Sequence, residues 1–428
     1  MQNSAVDRLA GLWKQIERRA DTLAVVAAVF AALYLVLIHW NVWAVDFSAL
    51  YFAGQFFGAG DLAQVYAAPP EVIGIQMPPA WVAAVAAVGH GGEQTYPFIY
   101  PPWVAAVMAP VARFDPQAAM NLNLVVNVAL VLGSILLARR IIGAAIALGT
   151  WMLISLALLV PGVPLMSALL LGQTQILVFF LCLLAFERYI AGAFFAAGVA
   201  LALAACLKIT PAAFALIFLF DRNGRALAAF MVSGMVMLAL SYAVAGPELH
   251  LTYLSHLRTI SAYIYASFFA FSFETFLFEI WNAVRGTAPL HIDNEYIFAK
   301  PGWISVMSTL GLLIATFVLW RVTQRVDHRR RTGAQLLGLA LIVAIFAPLG
   351  WAHYYLLALF LLPGVLVVMP LRRAMTLLQI VWVTLSVPFQ SLFFDVALPF
   401  YPQILIMVPV FLAALVALLA SLNSAKPI

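Results

Sequence analysis

Residues 22–48 read TLAVVAAVFAALYLVLIHWNVWAVDFS, an apolar run from Thr22 to Trp40 soon followed by a lone carboxylate, Asp46. About 20 apolar residues is the length an α-helix needs to cross the hydrocarbon core of a bilayer. Arg8, Lys14, Arg18 and Arg19 precede the run, and positive charge beside a span marks its cytoplasmic end. Asp46 is therefore expected at the outer membrane surface. No small-residue cleavage site follows the run, so residues 1–21 read as a cytoplasmic amphipathic helix leading into a retained span.

The pattern recurs along the chain. Thirteen apolar runs fall at about 22–40, 98–113, 119–138, 141–160, 165–187, 190–207, 209–220, 226–246, 301–320, 334–350, 353–369, 374–390 and 403–421. With 65% hydrophobic and 9% charged residues, the bilayer has to be the solvent. Runs of this length exclude barrel strands, which would alternate over about ten residues, so the expected fold is all-α integral membrane. Short basic segments, Arg139 with Arg140, Arg188, Arg222 with Arg225, Arg321 through Arg331, and Arg372 with Arg373, are assigned to the cytoplasm. The stretch 98–113, broken by Pro101, Pro102 and Pro110, reads as short or re-entrant. That leaves about twelve crossings in one transmembrane domain, 22–428, with both termini cytoplasmic. Two long outer loops, about 41–97 and 247–300, are expected to carry short in-plane helices. The isoelectric point near 9.2 reflects this topology and not nucleic-acid binding. Cys182 and Cys206 sit in apolar stretches and offer no metal-ligand spacing.

Candidate chemistry gathers on the outer side. Asp46 reads in two ways: a helix N-cap, or a carboxylate whose pKa is raised by partial burial, suited to accept a proton from an attacking hydroxyl. Lys208 is the only lysine between Lys14 and Lys300 and fits a lipid phosphate, with a snorkelling side chain as the alternative. His353, in Gly350-Trp351-Ala352-His353-Tyr354, suits a phosphate oxygen or acceptor hydroxyl, or else an aromatic belt. Gln173 and Gln175 are placed to orient a sugar or diphosphate head, or to cap helices. Tyr51, Tyr100 and Trp351 are candidate sugar or acceptor contacts, His256 and Arg258 candidate phosphate ligands, and Glu274 a further acid or base. There is no P-loop, no metalloprotease motif and no nucleophile elbow. No charge lies mid-span where ion-coupled transporters place one, which disfavours a transporter or flippase. A non-catalytic subunit of an envelope assembly remains the other alternative.

Asp46 to Gly60 with Tyr66, Phe98-Ile99-Tyr100-Pro101-Pro102, Leu171-Gly172-Gln173, Lys208 with Pro211, and Trp351 with His353 together resemble glycosyltransferase family 87, of the GT-C superfamily. The resemblance runs from about 46 to 360 and rests on the order of short motifs. It implies a GT-C-type bundle and an inverting transfer of a sugar, mannose above all, from a polyprenyl-phosphate donor. The acceptor would be a hydroxyl of a lipid-linked or glycan molecule on the outer face of a bacterial inner membrane. It further implies Asp46 as catalytic base with His353 beside it, and Lys208 at a recurrent basic position. A single Asp stands where some relatives have an acidic pair, so no metal or other cofactor is expected. The implied partners are the lipid-linked donor, the acceptor and membrane lipids.

Overall fold

A computed structural model describes residues 3–69, 77–286, 296–393 and 400–424, leaving aside the side chains of 3–18, 296, 328 and 329. The amphipathic face expected of 1–21 and parts of both expected loops, 70–76 and 287–295, thus lie outside the described residues. The chain is mostly helical. Helix α1 (Asn3–His39) is continuous, so the N-terminal segment and the first apolar run form one rod. The expected first loop contains α2 (Val45–Gly58), α3 (Leu62–Val65) and α4 (Pro79–Ala87). The stretch 98–113 forms only the seven-residue α5 (Pro102–Met108) and a 3-10 turn. At 1.5 Å per residue α5 spans about 10 Å, a third of the hydrocarbon core.

Next come α6 (Pro116–Ile142), α7 (Leu148–Leu159), α8 (Val163–Leu170), α9 (Gln175–Ile190) and α10 (Phe194–Leu207), then a 3-10 stretch Thr210–Ala215 with α11 (Leu216–Phe220). Asp115 caps α6, accepting from the Ala118 amide at 2.8 Å, with Pro116 preset at the first helical position. Helix α12 (Gly224–Ser261) breaks at Gly246-Pro247, where proline removes a backbone donor. Strands β1 (Tyr263–Ala266) and β2 (Tyr296–Ala299) pair antiparallel, Tyr263 opposite Ala299, on either side of α13 (Phe273–Arg285). The remaining helices are α14 (Gly302–Thr323), α15 (His328–Phe346), α16 (Leu356–Leu361), α17 (Val365–Val368), α18 (Leu371–Leu385), α19 (Val387–Ser391) and α20 (Pro402–Asn423).

Among the described residues five helices are long and apolar enough to cross a membrane: Arg19–His39 of α1, α6, α12, α14 and α20. Leu37, Phe30, Leu238 and Ile314 on these helices are well exposed, as side chains facing hydrocarbon are. The expectation of about twelve crossings counts shorter apolar helices as well. The run 165–187, read as one span, is instead two helices, α8 and α9, meeting at 119°. Hydropathy averaged over the run cannot register a single glycine turn at 172.

The bundle interior is packed by side chains of α6, α7, α9, α10, α15, α16 and α20, with a second cluster around α2 containing Trp81, Phe98 and Tyr100. Helices α1 and α7 touch backbone to backbone. A Cβ on Gly149 would lie 2.6 Å from the Ala20 carbonyl carbon, and the Gly149 amide donates to Asp21 Oδ1 at 2.9 Å. Gly149→Val is therefore expected to lower stability by about 1–3 kcal/mol, the usual cost of overpacking. Denaturant unfolding of the detergent-solubilised protein checks this; an unchanged midpoint would refute the crossing.

Candidate functional site

The site is built where the bend between α8 and α9 meets the start of α2. Helix α8 closes with the Gly172 amide on Leu169 O and the Gln173 amide on Ala168 O. Gly172 takes φ +68, which disfavours any residue with a Cβ. It is also packed so closely that a Cβ there would lie 2.8 Å from Phe47 Cβ and 2.9 Å from Ala44 Cβ. Leu171 O then receives the amides of Asp46 and Phe47 at 3.1 and 3.2 Å. The first amides of a helix are orphan donors, and the N-cap residue, Ala44, has no side-chain oxygen to offer them. A backbone carbonyl from another helix does the capping instead. The N-cap reading of Asp46 is thus corrected: it lies in the first turn of α2, and its carboxylate is released from that duty.

The carboxylate turns to Gln173, whose Nε2 donates to Asp46 Oδ2. On the far side of the same amide, Lys208 Nζ donates to Gln173 Oε1 at 3.2 Å. Lys208 sits at the end of α10 in extended backbone, fixed by its amide on Ala204 O and by Trp103, whose indole N–H donates to Cys206 O at 2.9 Å. Its ammonium stands 5.3 Å from the Tyr100 ring and 5.6 Å from the Tyr354 ring, within cation–π range. The Thr174 hydroxyl donates to Tyr100 Oη at 3.1 Å, and Tyr66 Oη donates to the Tyr100 carbonyl.

Removal from water dominates the electrostatics. Burial pushes the Asp46 carboxyl up to about 7, although Lys208 and the Gln173 hydrogen bond both pull it down. Burial brings the Lys208 ammonium down to about 8 against the attraction of Asp46. His353 completes the group. Its segment is stitched to the chain before α13 by Phe271 N to Gly350 O and Ala352 N to Phe269 O, both 2.7 Å, and by the Tyr355 hydroxyl on Phe271 O. The imidazole is 4% exposed, lies within electrostatic reach of Lys208 and has no partner for Nε2. A carboxylate that holds protons near neutrality, a cation and an open imidazole nitrogen thus share one small space.

The model of glycosyltransferase family 87 matches residues 98–348, more than half of the chain. The chain belongs to that family. No curated protein and no solved structure matched it. This membrane glycosyltransferase has Tyr100, Gln173 and Lys208 inside the matched stretch, with His353 just past its end and Asp46 well before its start.

The other expected site residues of the glycosyltransferase divide. Gln175 is buried beside Tyr354, lining a small cavity with Thr210 and Phe214. His256 packs edge-on against Tyr66 at 5.4 Å, one residue removed from Tyr100. Arg258 is exposed near the end of α12. Trp351 lies half-buried among Ile260, Tyr265 and Leu349. The Tyr51 hydroxyl donates to the carbonyls of Ala112 and Phe114, which ties α2 to the turn before α6. Glu274 is buried in an ion pair with Lys300 at 2.6 Å. Sequence reasoning missed Tyr354 and Thr174, though each adjoins a residue it singled out. Among the described residues no three His, Cys, Asp or Glu side chains are grouped to hold a metal.

Gly172→Ala tests the assembly. The added Cβ must strain φ and push Phe47 away, so a stability loss of about 1–3 kcal/mol and at least a tenfold fall in sugar transfer are expected. Melting temperature and initial rates measured on the same preparation decide; wild-type rates would mean the bend does not position Gln173.

Proposed function

We propose that this glycosyltransferase moves mannose, with inversion, from a polyprenyl-phosphate donor to a hydroxyl of a lipid-linked or glycan acceptor. The observation that carries the reading is the Gln173 amide, which joins Asp46 to Lys208. Inverting displacement at an anomeric carbon needs a base for the incoming hydroxyl and positive charge for the departing phosphate. Asp46 serves as the base and Lys208 receives the phosphate. His353 Nε2 bonds the donor phosphate or the acceptor hydroxyl. Because activation resides in the anomeric phosphate bond, no nucleotide is required, and with a single carboxylate at the site the leaving phosphate is left to Lys208 and not to a metal. Gln173 spends both ends of its amide within the site, so in this reading it positions the two charged groups and does not touch sugar.

The same reading puts the site at the outer face of a bacterial plasma membrane with both termini inside. The bundle has about twelve crossings, the shorter apolar helices among them, and the donor's lipid tail lies between helices.

With polyprenyl-phosphate mannose in nanodiscs, Asp46→Asn should cut turnover by about 10²–10⁴-fold, the usual share of a general base; near-normal turnover would remove Asp46 from the mechanism. Lys208→Ala should chiefly raise the donor KM, and an effect confined to the acceptor would contradict its phosphate role.

The pH profile follows from the two raised and lowered groups. The base works ionised, so rates should climb as pH rises through about 7; the cation works protonated, so they should fall above about 8. In Lys208→Met the upper limb should disappear, and the lower limb should move to higher pH because the charge that pulled Asp46 down is gone. An unmoved lower limb would show that some other group titrates.

A further inference from the structure

A second polar cleft lies at the opposite end of the bundle. Helix α9 begins beside Gln173 and ends at Ile190, 16 residues on, which is about 24 Å. There, a cleft of about 550 Å³ opens between the end of α11, the end of α14 and the start of α15. Its apolar wall is Leu219, Phe220 and Trp320, and its polar lining is Asp221, Arg222, Gln324 and Arg331.

Three features mark it as built to hold something. Arg331 is anchored by Nη2 on the carbonyls of Gln324 and Val326, at 3.4 and 3.2 Å. Backbone carbonyls do not cancel its charge, and its buried Nε has no partner. Asp221 accepts the Tyr189 hydroxyl on Oδ2 at 3.1 Å, while its buried Oδ1 has no partner. Arg222 takes φ +54 in the residue after Asp221, a helix-ending position where glycine is the easy choice. Its amide closes on Leu219 O and the next one on Phe218 O. A charged side chain is thus kept at the rim in backbone that penalises any Cβ.

We infer that this cleft binds a phosphodiester bearing a hydroxylated headgroup. The two guanidiniums take the phosphate oxygens, Asp221 Oδ1 accepts from a headgroup hydroxyl, and the Trp320 wall takes the adjoining hydrocarbon. Basic pockets between membrane helices are established places for anionic lipid headgroups, and the surrounding arginines mark this end as the cytoplasmic one. The inference does not depend on the donor or acceptor proposed above.

Native mass spectrometry of the full-length protein, taken from micelles with equal phosphatidylglycerol and phosphatidylcholine, tests it. Wild type should retain phosphatidylglycerol at least tenfold over phosphatidylcholine. Arg331→Gln and Arg222→Gly should each erase the preference. The glycine variant relieves the backbone and should melt no lower than wild type, so its loss of lipid is not a loss of fold. If retention shows no preference but glycerophosphoglycerol, the water-soluble phosphodiester of the same headgroup, raises the wild-type melting temperature and not that of Arg222→Gly, the same chemistry is confirmed with a soluble source. Absence of both effects in wild type, or their persistence in both variants, overturns the inference.

Discussion

The Leu171 carbonyl, accepting the Asp46 and Phe47 amides across the bundle, is the contact on which the site depends. It requires a chain that bends sharply at the surface of α2, and only a residue without a Cβ fits that bend. Two consequences follow from one hydrogen-bonding decision. The orphan amides of α2 are satisfied by backbone, so the carboxylate of the first turn need not curl back to cap them. The residue after the bend, Gln173, is carried to that carboxylate and Lys208 is met on its far side. The ordinary preference for a negative charge at a helix N-terminus is outweighed here by burial, which raises the Asp46 carboxyl toward neutrality.

Much of this was legible in the sequence. Parity of the arginine-flanked runs put Asp46, Gln173, Lys208 and His353 on one side, and the structure brings those four into one cluster. Hydropathy reports where apolar mass lies, and so it registered the long helices. It was blind to continuity: by hydropathy 165–187 is one run, and the turn at Leu171-Gly172-Gln173 is read from its residue types instead, where the structure has the bend between α8 and α9. The cap reading of Asp46 failed for a related reason. Helix capping was assessed from neighbours in sequence, whereas the cap comes from Leu171, well over a hundred residues away. Tyr51 and Glu274 show the same limit. Each is the right kind of residue in the expected region, yet the Tyr51 hydroxyl is engaged by Ala112 and Phe114 and the Glu274 carboxylate by Lys300, partners that no local pattern names.

The choice of an amide between Asp46 and Lys208 explains why both groups sit near neutrality. A direct ion pair at contact distance would stabilise both charges and drive the two titrations apart. An amide donates to one and accepts from the other, which orients both charged groups while holding them a side chain apart. Coulombic attraction weakens with that separation, and burial then prevails on each: the acid is weakened and the ammonium made easier to deprotonate. Under the donor proposed above, an incoming phosphate would add negative charge beside Lys208, which would strengthen the ammonium's hold on its proton and the carboxylate's affinity for one. In the proposed reaction Asp46 would thus gain proton affinity as the phosphate arrives, a coupling that follows from the spacing of three side chains and needs no movement of the fold.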